Sequence, residues 1–241
     1  MQPATGGALE QPVRLRARLD AEPSRWLWLV KWLLAIPHYV ILYFLWIVFA
    51  VVTIIAFFAI LITGRYPRGL FDLNVGIMRW TWRVAYYTYG VLGTDRYPPF
   101  SLEPRADYPA DLTVQYPERL SRGLVLVKWW LLAIPHYLLL GVLLGTSYLF
   151  YRSSDSGWAG PASGLGLAGL LVLFVGISLL FTRHYPRGMF NLLVGIERWA
   201  YRVGAYVALM SDRYPPFRLD QGPDEPAPPA IPESTPAPPQ R

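Results

Sequence analysis

The sequence predicts a mainly helical membrane protein with tandem duplicated transmembrane hairpins, interfacial amphipathic helices and a small juxtamembrane β-layer. Two observations predict this class. Hydrophobic residues make up 54% of the 241 residues and charged residues only 16%, which is too apolar for an ordinary soluble protein of this length. The same landmarks also occur in the same order in residues 12–102 and again in residues 109–219. Such self-similarity indicates that one unit has been duplicated.

The two copies share long motifs and not just isolated residues. Each contains Leu-Leu-Ala-Ile-Pro-His-Tyr, later Tyr-Pro-Arg-Gly and Arg-Trp-x-x-Arg-Val, and each closes on Asp-Arg-Tyr-Pro-Pro-Phe. The only lysines of the protein, Lys31 and Lys128, occupy equivalent positions. A linker over 103–108 joins the copies. The flanking segments 1–11 and 220–241 are predicted to be disordered, the second because it is rich in proline and polar residues.

Each copy is predicted to open with a β-strand. Apolar residues alternate with arginines over 13–19, and the alternation recurs over 112–116, the period expected of a half-buried strand. The closing Arg-Tyr-Pro-Pro-Phe segments are also expected to be extended, because a residue before proline is excluded from the helical region. We therefore expect a β-layer formed by the opening and closing strands of both copies.

Long apolar runs follow the opening strands and predict membrane spans. The second copy has two runs, about 123–150 and 164–182, with a polar loop between them. In the first copy the region of about 26–63 allows two interpretations. A hairpin that turns near Leu45 matches the second copy and places the flanking arginines on one side of the membrane. A single span over about 38–62 avoids two very short helices and would orient the copies in opposite senses. We favour the hairpin.

A third helix is predicted in each copy, over about 69–92 and 188–210. It carries two arginines one turn apart on one face. Each would cost about 2.5–3.5 kcal/mol at the centre of a spanning helix, so we expect the helix to lie at the membrane interface. Guanidinium groups bind phosphate oxygens in pairs, and the predicted site for anionic headgroups consists of Arg79, Arg83, Arg198 and Arg202. The alternative is internal pairing with Asp72, Asp95 and Asp212.

Three further sets of residues carry weaker predictions. His38 and His136 could face each other between the copies as a polar pair, or each could satisfy a carbonyl left free by the preceding proline. Gly141 and Gly145 have the spacing that permits close helix packing, within the chain or in a homodimer. The closing signature is predicted to tie the β-layer to the third helix through Asp95, Arg96, Tyr97, Asp212, Arg213 and Tyr214.

The sequence offers no catalytic constellation. It contains no cysteine, which excludes disulfides, thiolate catalysis and cysteine-ligated metals. It has no Ser-His-Asp set, Walker loop or Rossmann glycine pattern, so we predict no enzyme, cofactor or metal. The net charge of +6 comes from arginines that flank apolar runs, which is typical of membrane topology and does not indicate a nucleic-acid partner.

The repeated motifs resemble the bacterial membrane family called domain of unknown function 4389, and the resemblance covers residues 12–219. The resemblance implies an integral membrane protein but transfers no reaction or binding residue. With the arginine pattern, it leads us to expect a multi-pass protein of the inner membrane with both termini in the cytoplasm. The first functional hypothesis is a non-enzymatic module that binds anionic lipid or a membrane protein partner. The alternative is a small transporter or channel between the two copies, and a lipid-modifying enzyme ranks last.

Overall fold

The computed structural model describes residues 11–20, 23–145, 166–220 and 222. The predicted disordered tails and the polar loop of the second copy lie almost entirely outside these residues. The elements, in chain order, are β1 (Val13–Ala17), α1 (Leu27–Thr63), α2 (Arg68–Tyr87), β2 (Ala110–Val114), α3 (Arg122–Val127), a π-helical turn (Lys128–Leu132), α4 (Ile134–Leu144), α5 (Leu167–Thr182) and α6 (Arg187–Val207).

The first copy contains one long helix in the place of the predicted hairpin. α1 runs without interruption through Leu45, so the hairpin over 26–63 is wrong. The physical reason is that residues 38–62 contain no Gly, Pro, Asn or Asp that would end a helix. Pro37 lies inside the helix, and the hydroxyl of Tyr97 donates to the carbonyl of Leu34, next to the carbonyl that the proline leaves without a donor.

By length and composition, α1 could cross a membrane. α3 to α4 would reach that length only if the two were counted as one span, and they are bent by 41° at their break. α5 has 16 residues, which is below the usual length of a span. The described part of the chain therefore does not contain the four spans that two hairpins would require.

The opening strands form the β-layer. β1 pairs antiparallel with β2, and Leu15 lies opposite Leu112 at the centre of this two-stranded ribbon. Val13 and Leu15 are buried while Arg14 between them is exposed, which confirms the predicted alternation. The closing segments are not strands, so that part of the predicted layer is wrong. Their prolines lack the N–H that a ladder needs. Carbonyls of residues that follow the two segments, Ser101, Leu102 and Asp220, accept hydrogen bonds from arginines of α2 and α6 instead.

α2 and α6 are the predicted amphipathic helices, and they pack against each other beneath the apolar helices. The two helices are antiparallel, as their contacts show: Met78 lies near Gly204, Trp82 near Tyr201 and Tyr86 near Phe190. α1 packs on α2 and also contacts α3, whereas the π-helical turn, α4 and α5 pack on α6. The ribbon lies against both amphipathic helices. The molecule thus has an outer apolar layer, a middle helical layer and a polar ribbon.

Candidate functional site

The four arginines predicted to bind headgroups are buried in the protein. The exposed fraction of each residue is 8% for Arg79, 0% for Arg83, 1% for Arg198 and 3% for Arg202. Their side chains donate to backbone carbonyls and pair with carboxylates of the closing and opening segments. A headgroup could therefore reach these guanidinium groups only by displacing internal hydrogen bonds.

Arg79 and Arg198 link each copy to the opening strand of the other. Nε of Arg79 in the first copy donates to the carbonyl of Leu112 at 2.8 Å. In the second copy, Nη2 of Arg198 donates to the carbonyl of Leu15 at 3.1 Å. Because these two leucines face each other in the ribbon, the two arginines hold its centre from opposite sides. The copies exchange strands reciprocally, and neither has a complete core alone.

Arg83 and Arg202 bind carboxylates that differ between the copies. Nη2 of Arg83 lies 3.1 Å from Asp111 and donates to the carbonyl of Glu103 at 2.6 Å. Nη2 of Arg202 lies 2.6 Å from Asp220. Burial lowers the pKa of Arg83, and the charge of Asp111 opposes this shift. These arginines pair with carboxylates inside the protein, but with Asp111 and Asp220 and not with the predicted Asp72, Asp95 and Asp212.

The aspartates of the closing signature bind the buried lysines. Nζ of Lys31 lies 2.9 Å from Asp95, and Nζ of Lys128 lies 2.9 Å from Asp212. Each aspartate also accepts from the backbone N–H of the serine that precedes the first apolar helix of its copy. Asp72 pairs instead with Arg68 on the surface. The signature therefore fastens the start of the long apolar segment.

The remaining signature residues have mixed roles. The rings of Tyr97 and Tyr214 contact tyrosines of the third helix of their own copy. Arg96 donates through Nη1 to the carbonyl of Asp107 at 2.6 Å, inside the linker. The backbone N–H of Arg213 donates to the hydroxyl of Ser211, two residues earlier. A structural role for the signature is consistent with these contacts.

Each of the two predicted histidines is enclosed by aromatic rings of its own copy. His38 stacks on Phe100 with ring centroids 4.0 Å apart, and its Nδ1 accepts from Nε1 of Trp80 at 3.1 Å. His136 stacks on Phe217 at 4.3 Å. Both histidines are fully buried. Within the described residues the structure does not bring the two together.

The glycine pair of the second copy does not form a helix face. Gly145 ends α4 with a φ of 79°, in the left-handed region that favours glycine. A Cβ atom added to Gly166 would lie 2.1 Å from the nitrogen of Gly145, so the two backbones touch at the junction of α4 and α5. This contact is within the chain, and a homodimer through Gly141 and Gly145 stays a prediction.

Sequence reasoning missed two cavities at the junctions between the copies. Each is formed where the last apolar helix of one copy meets the start of the other, so the two occupy equivalent places. The first junction cavity, of about 470 Å³, is lined by Thr63, Gly64, Arg65, Arg119, Leu120 and Arg122. The second, of about 530 Å³, is lined by Pro23, Ser24, Arg25, Trp26 and Arg183. The only signal in the sequence was the set of arginines that flank the apolar runs.

Glu197 of α6 is a second feature that the sequence did not single out. It is half-buried, and burial raises its pKa from 4.5 to about 7. Because the folded-state pKa is raised, the stability associated with the neutral carboxyl is fully present below pH 4.5 and is lost as the pH rises through about 7. Glu197→Gln should therefore melt at a higher temperature than the parent protein at pH 8 and at a similar temperature at pH 4.

Melting temperatures measured across this pH range test the prediction. Glu118→Gln, on an exposed glutamate, is the matched control and should follow the parent protein at every pH. Parallel melting curves for Glu197→Gln and the parent protein from pH 4 to pH 8 would contradict it.

A known protein family matches one segment in each of the two copies. A family model described as Domain of unknown function (DUF4389) matches residues 25–101 and 164–218, which together make up more than half of the chain. The first match includes α1, α2 and the closing signature, and the second includes α5, α6 and the second signature. No curated protein and no solved structure matches the chain.

Proposed function

The chain belongs to the DUF4389 family, and from this premise we propose that it is a non-enzymatic module that binds anionic membranes. In this proposal α1 and its counterparts in the second copy lie in the plane of one leaflet. The ribbon and the amphipathic helices face the aqueous side. One observation carries the proposal: the apolar surface of α1 is exposed along its whole length, while its buried side packs on a layer that ends in polar strands.

The exposed surface of α1 requires an apolar environment. The buried residues form one narrow stripe with spacings of three, four and seven: Lys31, Ala35, His38, Leu42, Phe49, Val52, Ala56 and Ile60. Most other side chains are large, apolar and exposed, from Trp26 to Ile62. Exposed apolar surface of this extent is rare on soluble monomers, and it supports immersion of the helix in lipid.

The position of the ribbon favours an in-plane orientation. Leu45, at the middle of α1, packs in a cluster with Leu102. The carbonyl of Leu102 accepts from Arg79, which also binds the centre of β2. If α1 stood along the membrane normal, exposed strand residues such as Arg14 and Thr113 would lie at the depth of the bilayer centre. Polar side chains and strand edges are strongly disfavoured there.

The length of α1 supports the same orientation. Its 37 residues extend about 55 Å at 1.5 Å per residue, whereas the hydrocarbon core is about 30 Å thick. To contain its whole apolar length in that core, the helix would need a tilt of about 57°, beyond the usual range of about 0–40°. A helix that lies in one leaflet has no such mismatch.

The depth of labels along α1 tests this proposal. Leu33, Phe44, Ile55 and Ile62 are exposed and lie on one face of the helix, since they are separated by 11, 11 and 7 positions. Because the protein has no cysteine, each can be replaced by a single cysteine and labelled with a fluorophore in reconstituted vesicles. Quenchers attached at known depths in the lipid chains should report a similar depth at all four positions.

A cysteine at Thr113 on the ribbon is the matched control. It should be quenched by iodide in the buffer and not by the lipid-attached quenchers. A profile that is deepest at Phe44 and shallow at both ends would contradict the in-plane orientation. That result would favour spanning copies of opposite sense, an arrangement found in many secondary transporters.

A further inference from the structure

We infer that the two junction cavities bind the phosphate groups of anionic lipids, one lipid in each cavity. The inference rests on the proposed function, because it requires the cavities to lie at headgroup depth. It also replaces the buried arginines of α2 and α6 with a different set of guanidinium groups. These groups are Arg65, Arg119 and Arg122 in the first cavity and Arg25 and Arg183 in the second.

The lining of the cavities suits a phosphate. The three arginines of the first cavity are exposed, and no carboxylate is present among the described residues that line either cavity. Guanidinium groups form paired, charge-assisted hydrogen bonds to phosphate oxygens. Volumes of about 470 and 530 Å³ are within the range of small-ligand sites. A single headgroup therefore fits each cavity.

Both cavities adjoin the exposed apolar surface. Ile62, three residues before Arg65, is 72% exposed, and Phe181, two residues before Arg183, is 75% exposed. Trp26 lines the second cavity and is itself exposed. Arginines next to exposed aromatic and aliphatic side chains are typical of the membrane interface, where tails and headgroups meet. A lipid that covers the apolar helices would thus bring its phosphate to the cavity.

Two features of the second cavity point to a ligand. Arg183 ends α5 in the left-handed region with a φ of 57°, where the equivalent residue of the first copy is Gly64 with a φ of 72°. A residue with a side chain is strained in that region, and such strain is characteristic of functional positions. Nε of Arg25 is buried and has no hydrogen-bond partner among the described residues. A phosphate oxygen would provide the acceptor.

Lipid binding by variants of the full-length protein tests the inference. The purified protein is titrated in nonionic detergent micelles with fluorescent phosphatidylglycerol, and phosphatidylcholine serves as the neutral probe. The parent protein should bind two molecules of phosphatidylglycerol. R65Q/R119Q/R122Q and R25Q/R183Q should each bind one, because the altered site becomes about a hundredfold weaker after three substitutions and about thirtyfold weaker after two.

R68Q/R96Q/R105Q is the matched control, because it removes three exposed arginines outside the cavities. It should still bind two lipids. Near-ultraviolet circular dichroism checks that each variant is folded. Two sites in R65Q/R119Q/R122Q, or equal losses in the control, would overturn the inference.

Two further outcomes separate the sources of phosphate and the two proposals. Glycerol phosphate in the buffer should not displace the lipid, since the acyl chains contribute to binding. Displacement at equimolar concentration would assign the cavities to a soluble phosphate and overturn the lipid form. The depth profile could contradict the in-plane orientation while each set of arginine substitutions still removes one lipid site. In that case the in-plane orientation is wrong, and the assignment of the cavities to lipid phosphates is retained.

Discussion

Replacing Arg83 by methionine should lower the free energy of unfolding by about 3–5 kcal/mol, the usual cost of removing one partner from a buried ion pair. The guanidinium group is fully buried and is bound to Asp111 and to the carbonyls of Ser101 and Glu103. Methionine fills similar space but donates nothing. The two carbonyls would then be left without this donor in a largely dehydrated site, and Asp111 would keep only Arg79, whose Nε lies 3.3 Å away.

A surface arginine of the same helix provides the control. Arg68→Met breaks an exposed pair with Asp72 and should cost about 0.5 kcal/mol or less. Both variants lose one positive charge from α2, so the difference between their free energies of unfolding measures the effect of burying the arginine. Chemical unfolding in detergent micelles, followed by tryptophan fluorescence, measures both. Similar losses for Arg83→Met and Arg68→Met would contradict the assignment of Arg83 to the core.

Periodicity predicted the local structure well. The alternation over 13–19 and 112–116 identified β1 and β2, because one face of the ribbon is buried and the other is exposed. The arginine stripe identified the amphipathic helices, and α2 and α6 begin within one residue and end within five residues of the predicted bounds. These signals are local, so they do not depend on which elements pack together.

The destination of the arginines could not be predicted in the same way. A guanidinium group has five donors and is satisfied equally by lipid phosphates or by backbone carbonyls. Which of these it meets depends on the exchange of strands between the copies, a contact between residues far apart in sequence. The closing segments depend on similar long-range contacts. Carbonyls that follow each segment accept hydrogen bonds from arginines of the third helices, so these carbonyls do not need a strand ladder.

The hairpin of the first copy was predicted from its likeness to the second copy. That likeness covers motifs at both ends of the apolar segment, but it does not include the middle. The second copy has Gly145 and Gly166 near its break, whereas the first has no helix-ending residue in 38–62. The residues that end helices, and not the overall duplication, therefore decide where each copy turns.

The buried lysines lead to the second large expected effect. Lys31→Met should lower the free energy of unfolding by about 2–4 kcal/mol. Nζ of Lys31 donates to the carbonyl of Thr94 at 2.7 Å and lies 2.9 Å from Asp95. The aspartate side chain is 25% exposed, so water can compensate part of the loss. This is why the expected cost is smaller than that for Arg83.

The second partner of the pair and the second copy supply the controls. In Lys31→Met/Asp95→Asn no charge remains buried without its partner, so part of the lost stability should return. Lys128→Met should match Lys31→Met, because Lys128 is equally buried and lies 2.9 Å from Asp212, whose side chain is 26% exposed. Unfolding measured in detergent compares the three variants. Asp95→Asn, measured alongside, completes a double-mutant cycle, which is needed because Asp95 also accepts from the backbone N–H of Ser24. A loss in the double variant equal to the sum of the two single losses would contradict the proposed pair.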